Sequence, residues 1–258
     1  MYQFDHQSGK FIQTESANFY VEQHSSSDKR TIVFLHGGLG NIVDLNPIVN
    51  SLSADFHIVG IDFAGHGRST YQDDYSFSYA QHQADVEYIL AKLNIHQYTI
   101  IGFSDGGIVA YRLAAQHSDQ VQQIITIGAQ WQLEAQSLNI LKSLTAKQWL
   151  TMFPESVTYY QQINAEPNFD KLVYRVVNHL WTDQSETGYP NRMLNLIKCP
   201  VLAMRGDQDH LLSLEELTAL SKVLPKADIA NIPYAGHALY EDDLQTCITL
   251  IQKALSRI

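Results

Sequence analysis

Short runs dense in β-branched and other apolar residues recur along the chain, separated by longer stretches whose apolar positions fall three and four apart. The short runs predict strands at 18–22, 31–35, 57–61, 98–103, 123–127, 201–205 and 228–232. Most are apolar almost without interruption, as in Ile32-Val33-Phe34-Leu35 and Val201-Leu202-Ala203-Met204. That pattern belongs to strands covered on both faces. Helical spacing predicts helices at 42–54, 79–93, 107–116, 214–224 and 243–257. The last carries Leu244, Ile248, Ile251 and Leu255 on one face. Strand and helix in alternation imply a mostly parallel central sheet flanked by helices, an α/β architecture.

One stretch breaks the alternation. From 130 to about 198 no strand pattern occurs, and the residues turn rich in Gln, Tyr, Trp and Met. Helical spacing runs through 132–143, 145–152, 156–164 and 169–180. About seventy residues without a strand is too long for a loop in a compact domain. The reading is therefore a core formed by 1–130 and 199–258, with a helical lid, or cap, at 131–198. Ser25-Ser26-Ser27 reads as a turn.

Composition narrows the partners. At 258 residues, with 45% hydrophobic and 17% charged, the chain is long enough for one large domain and is not disordered. Seventeen Lys and Arg stand against 27 Asp and Glu, a net charge of −10, which argues against nucleic acid as a partner. The two cysteines, Cys199 and Cys247, form no C-x-x-C pair and read as buried thiols. The first residues lack a basic segment followed by an apolar one, and no apolar run approaches the ~18 residues of a membrane span. The expectation is a soluble, cytoplasmic protein that does not engage a membrane.

Gly102-Phe103-Ser104-Asp105-Gly106 matches G-x-S-x-G, with an apolar run entering it and a helical pattern leaving it. A nucleophile elbow needs that strand–turn–helix setting, because it lifts a serine hydroxyl above the sheet. Serine needs a base, and the base needs an acid to orient it. In chain order the acid comes next: Gly206-Asp207-Gln208-Asp209 ends a predicted strand and offers two candidates, Asp209 and its rival Asp207. Asp207, Asp209 and His210 lack the further ligands that a metal site requires. Ala235-Gly236-His237-Ala238, ahead of the last helix, places one of eleven histidines where a base belongs. His36-Gly37-Gly38-Leu39-Gly40 follows the 31–35 strand and can aim backbone N–H groups at an oxyanion, with the Asp105 N–H as second donor. The segment from Asp62 to Ser69, DFAGHGRS, reads as a structural turn that braces its neighbours.

Taken in order, HGGLG, DFAGHGRS, GFSDGG, GDQD and AGH resemble the α/β-hydrolase superfamily over nearly the whole chain. The lid and the S-D-G-G elbow resemble its valacyclovir hydrolase (biphenyl hydrolase-like), C–C hydrolase and esterase branches. The resemblance implies that fold, with the lid inserted after the sixth strand. It implies Ser104 as nucleophile, Asp209 as acid, His237 as base, and Gly38 with Asp105 as oxyanion donors. It further implies a serine hydrolase, of the carboxylesterase kind, cleaving a small ester or related acyl substrate through an acyl-enzyme, with no cofactor and no metal. C–C bond hydrolysis on the same triad is an alternative, and a ligand-binding relative that retains the pocket is another. Leu211-Leu212-Ser213 departs from the family, which often has a proline there. Trp131, Phe153 and Trp181 of the lid, with Leu39 and the Asp105 carboxylate, are candidates to contact substrate. The Asp105 carboxylate would suit the ammonium of an amino-acid ester, or else cap the following helix.

Overall fold

The computed structural model describes residues 2–24 and 29–257, so the serine turn at 25–27 lies outside the described residues. Nine strands form one sheet: β1 (Lys10–Gln13), β2 (Ala17–His24), β3 (Thr31–Leu35), β4 (His57–Ile61), β5 (Thr70–Tyr71), β6 (Tyr98–Phe103), β7 (Val121–Ile127), β8 (Val201–Gly206) and β9 (Asp228–Ile232). The order is β1-β2-β4-β3-β6-β7-β8-β9, with β5 pairing β2. Pairs from β4 to β9 are parallel, and β2 joins β1, β4 and β5 antiparallel. All seven expected strands are present. The apolar pattern did not mark β1, which is mostly exposed and has only Phe11 and Ile12 as apolar residues, or β5, which has only two residues.

The helices are α1 (Asn46–Leu52), α2 (Tyr79–Lys92), α3 (Asp105–Gln116), α4 (Ala135–Ser143), α5 (Ala146–Met152), α6 (Pro154–Ile163), α7 (Phe169–Arg175), α8 (Leu214–Val223), α9 (Leu239–Asp242) and α10 (Leu244–Leu255). The expected 42–54 helix splits into a tight turn, Ile42–Leu45, and α1, with Pro47 at its start. Alternate strand residues feed two cores. Val33, Ile100, Ile124 and Ala203 pack with α2, α3 and α8, while Phe34, Ile101, Ile125 and Met204 pack with α1, α9 and α10. Burial on both faces is why these strands read as unbroken apolar runs.

Helices α4 to α7 and a π-turn at Val176–Trp181 lie between β7 and β8. This helical insertion follows the seventh strand in chain order; leaving out the two-residue β5, which lies off the main strand order, it follows the sixth, as expected. The Asp62 turn does brace its surroundings. The buried Asp62 carboxylate accepts from the Ile42 and Arg68 N–H groups and pairs with His6 at 2.8 Å. Cys247 is buried and Cys199 only half-buried, and both are free thiols. Among the described residues no helix is long and apolar enough to cross a membrane.

Candidate active site

The strand order turns back between β3 and β6, since β3 leads to β4 on one side and β6 to β7 on the other. Crevices at the carboxyl ends of such strands are where open α/β sheets hold their sites. The loops after β3, β6, β7, β8 and β9 all meet there.

Ser104 sits between β6 and α3 with φ 50° and ψ −116°, a left-handed conformation uncommon for a residue with a side chain. Its N–H donates to the Ile127 carbonyl at 2.8 Å, and the Gly106 N–H to the His36 carbonyl at 3.0 Å. Flanking residues must be small. A Cβ on Gly102 would lie 2.4 Å from the Gly106 carbonyl oxygen, and one on Gly106 would lie 2.1 Å from that of Leu35. The tight turn therefore follows from the motif itself, and it leaves Ser104 partly exposed.

The structure brings Ser104, His237 and Asp209 together. His237 Nε2 lies 3.0 Å from Ser104 Oγ, and its Nδ1 lies 3.0 and 2.9 Å from the two Asp209 oxygens. Asp209 is buried, and its Oδ1 also accepts from the Leu211 and Leu212 N–H groups at 2.8 and 3.1 Å. Burial works to raise this carboxyl, but the His237 hydrogen bond and charge and the two backbone donors outweigh it and hold it below its usual value. The same two N–H groups fold the 211–213 turn without a proline. Asp207 is exposed, and its N–H closes the strand end on the Ile232 carbonyl at 2.8 Å. His237 packs its ring on Phe103 at 5.1 Å. Among the described residues no group of three or more His, Cys, Asp or Glu is arranged to hold a metal ion.

The glycine loop lies against the elbow. A Cβ on Gly38 would fall 2.5 Å from Asp105 Oδ2 and 2.6 Å from the Trp181 indole. Next to it Leu39 is buried and adopts φ 60°. Among the described residues neither the Gly38 nor the Asp105 N–H meets a hydrogen-bond acceptor, so both are free to donate. The Asp105 side chain does not cap α3, in which it is the first residue. Its carboxylate is buried and accepts from Tyr79 Oη at 2.8 Å and from Trp181 Nε1 at 2.8 Å. Burial raises this carboxyl, with the two hydrogen bonds acting against the shift.

Three lid candidates separate. Trp181 reaches the site through Asp105. Phe153 is an outer corner, 48% exposed, whose ring lies tilted 4.8 Å from that of Trp149, which in turn lies tilted 6.1 Å from Trp181. Trp131 lies where the insertion leaves the core, with its backbone N–H and its indole N–H both donated to Glu216. A cleft of about 230 Å³, lined by Glu134, Ser137, Asp209 and His210 among others, separates this start from the acid's loop. Tyr79 and Glu216 were not legible as site residues, since each sits at an ordinary helical position.

The alpha/beta hydrolase fold family matches residues 30–176, more than half of the chain. An uncharacterized hydrolase of Bacillus subtilis, YugF, is 19% identical over 88% of this chain and 90% of its own length. The pimeloyl-[acyl-carrier protein] methyl ester esterase of Nitrosomonas europaea is 23% identical over 86% of this chain and 93% of its own. Among solved structures, the meta-cleavage product hydrolase CumD of Pseudomonas fluorescens superposes with a TM-score of 0.81 at 16% identity, covering 98% of this chain and 99% of that one. Strand order, elbow and the family match agree: the chain belongs to the alpha/beta hydrolase fold family.

Proposed function

We propose that the protein is a serine hydrolase of small carboxylic esters, with Ser104, His237 and Asp209 as its triad and 131–198 as a lid. One observation carries the reading: a serine held at a strained elbow, 3.0 Å from an imidazole whose other nitrogen faces a buried carboxylate. His237 takes the Ser104 proton as Oγ attacks the ester carbonyl. The resulting oxyanion faces the Gly38 and Asp105 N–H groups, which are otherwise unengaged. Collapse expels the alkoxide, and His237 returns the proton to it, leaving an acyl-enzyme and an alcohol. Water, deprotonated by His237, then attacks the acyl carbonyl, and Ser104 regains its proton as the acid departs.

The esterase named among the relatives supports an ester substrate. The Asp105 carboxylate already holds two donors, which gives no ground to prefer amino-acid esters over neutral ones. The test is labelling with a fluorophosphonate beside an ester panel of increasing acyl length. Labelling that Ser104→Ala abolishes, together with ester turnover, supports the reading. Labelling without turnover of any ester favours a binding protein, and cleavage of a β-diketone in the same panel favours the C–C alternative.

A further inference from the structure

Ser213-Leu214-Glu215-Glu216 has the S-x-x-E spacing of a reciprocal helix cap. Only half of that cap forms. Ser213 Oγ accepts from the Glu216 N–H at 2.9 Å, but the Glu216 carboxyl turns inward and is fully buried. Its Oε1 accepts from the Trp131 and Gln132 N–H groups at 2.7 and 3.2 Å. The Trp131 indole N–H donates to the Glu216 carbonyl at 3.1 Å. On its other side, the Trp131 carbonyl accepts from the Asn191 N–H at 2.8 Å. Outgoing and returning ends of the helical insertion thus meet on one tryptophan, and that tryptophan is fastened to α8 by one glutamate.

This fastening is close to the reacting groups along the chain. Gly128, three residues before Trp131, adopts φ 60° against His237, where a Cβ would lie 3.0 Å from the imidazole. The arm 128–131 therefore runs from the base to the hinge. We propose that Glu216 is a positioning residue, which through Trp131 sets the lid over Ser104, and that its neutral carboxyl is the form that does so. The proposal rests on the reading of Ser104 as nucleophile.

The chemistry around the carboxyl favours the neutral form. Oε2 is buried without a hydrogen-bond partner, as is the Nε2 of neighbouring Gln130. The titratable groups facing it are Glu134 at the start of the lid, Tyr111 of α3 and Tyr189 at the lid's return, and none supplies a positive charge. Burial first, with Glu134 adding to it, outweighs the Trp131 and Gln132 N–H donors and the nearby Gln130 amide and pushes the carboxyl up to about 8. Ionisation above that pH would place an unpaired charge at the hinge, with a large desolvation cost. The charge is relieved when the hinge opens to let water reach it, which releases Trp131 and loosens the lid. Substrate binding then weakens, while the triad remains assembled on the core.

The experiment compares the native protein with Glu216→Gln and Glu216→Ala from pH 6 to 9.5, reading kcat and KM separately on the best ester of the panel. In the native protein KM rises above about pH 8, by up to about tenfold per pH unit for a single ionisation, with kcat held. Glu216→Gln, whose amide stays neutral, shows a flat KM over the same range. Glu216→Ala, leaving two buried N–H groups unpaired, raises KM several-fold at every pH. An alkaline rise of KM that persists in Glu216→Gln overturns the proposal, as does a loss confined to kcat. If Glu216→Ala does not fold, the comparison of Glu216→Gln with the native protein decides alone. If Ser104 is not labelled and no ester is cleaved, the functional reading has failed separately. Tryptophan emission then tests the hinge: a transition near pH 8 that Glu216→Gln removes supports it, and its absence from the native protein overturns it.

Discussion

The candidate site on the core and the helical insertion proposed as its lid are held by different means. Ser104, Asp209 and His237 each follow a strand, and main-chain contacts fix them: the Ser104 N–H on Ile127, the Asp209 carboxylate on two loop N–H groups, the elbow glycines against neighbouring carbonyls. The insertion proposed as a lid is held mostly by side chains, with a main-chain bond from the Ala80 N–H to the Thr187 carbonyl at 2.9 Å. Trp181 bonds to Asp105, Tyr159 to His6, Asn164 to the Gly67 and Ser69 carbonyls, and Trp131 to Glu216. Helix α5 buries no residue, and Leu150, Met152 and Phe153 around it are about half exposed. A site fixed by backbone keeps its geometry when a distant side chain changes, whereas a cover fixed by side chains does not. Core substitutions should therefore act on kcat, and lid substitutions on KM.

The sharpest way to break that division is at the nucleophile and base. Ser104→Ala and His237→Ala are each expected to lower kcat by on the order of 10⁶-fold, leaving a residual ~10³–10⁴-fold over water. Circular dichroism and melting temperature should stay near native, because both side chains are partly exposed and His237 packs only at the edge of the core, on Phe103. The double variant should be no slower than the singles, since the pair acts as a unit. A double variant far slower than both would show that the two groups work independently.

The next effect separates two acids two residues apart. An amide at 209 can still accept from the Leu211 and Leu212 N–H groups, yet it presents N–H to the imidazole and favours the wrong tautomer. Asp209→Asn is expected to cost about 10⁴-fold in kcat. Asp207→Asn, at an exposed strand end, should stay within about threefold of native. A larger loss at Asp207 in steady-state kinetics would reassign the acid.

Legibility divides along the same line. Backbone geometry demands particular residues, so the elbow glycines, the loop glycines and the strand ends carrying Asp209 and His237 could be read directly. Two-sided burial wrote the central strands as apolar runs, but the same signal missed β1 and β5, which are exposed or too short to repeat. Side-chain partnerships leave weaker traces. Trp131 reads as apolar lid surface, and nothing in its neighbours shows that both of its N–H groups go to a glutamate 85 residues on. Glu216 itself is masked by a capping pattern of which only half forms. Asp105 stands where a cap is favoured, and its carboxylate instead joins Tyr79 and Trp181.

Asp105 tests whether the elbow's neighbour belongs to the core or to the lid. Asp105→Asn keeps an acceptor for Tyr79 but sets an N–H against the Trp181 indole N–H, and Trp181→Phe removes that donor outright. Both should raise KM by about three- to tenfold with a smaller change in kcat. The effect should be equal for neutral esters and for amino-acid esters of the same size. A loss confined to amino-acid esters would make the carboxylate an ammonium receptor.

The last expected effect is on stability. Burial raises four carboxyls, Asp105 and Glu241 among them, with Glu216 reaching about 8 and Asp44 about 6. A carboxyl whose folded pKa exceeds its unfolded one keeps its proton longer in the folded state. Its contribution is complete below the unfolded value, 4.5 for Glu216, and is lost as pH rises through about 8. For Glu216 the loss is on the order of 5 kcal/mol at most, or several degrees in melting temperature for a chain of this size. His36, pushed down to about 4 by burial, works in the opposite sense: the unfolded chain gains its proton first as pH falls, so stability drops below neutrality. Asp209, held below its usual value, adds to that acid-side loss. The measurement that isolates the hinge is therefore a difference. Melting curves of the native protein and Glu216→Gln from pH 5 to 9 share the His36, Asp44 and Asp209 contributions, which cancel. The native protein should lose several degrees relative to the variant between about pH 5 and 8.5. Parallel curves would mean that the Glu216 carboxyl ionises alike in the folded and unfolded chain, and the lid would then hang on a charged residue after all.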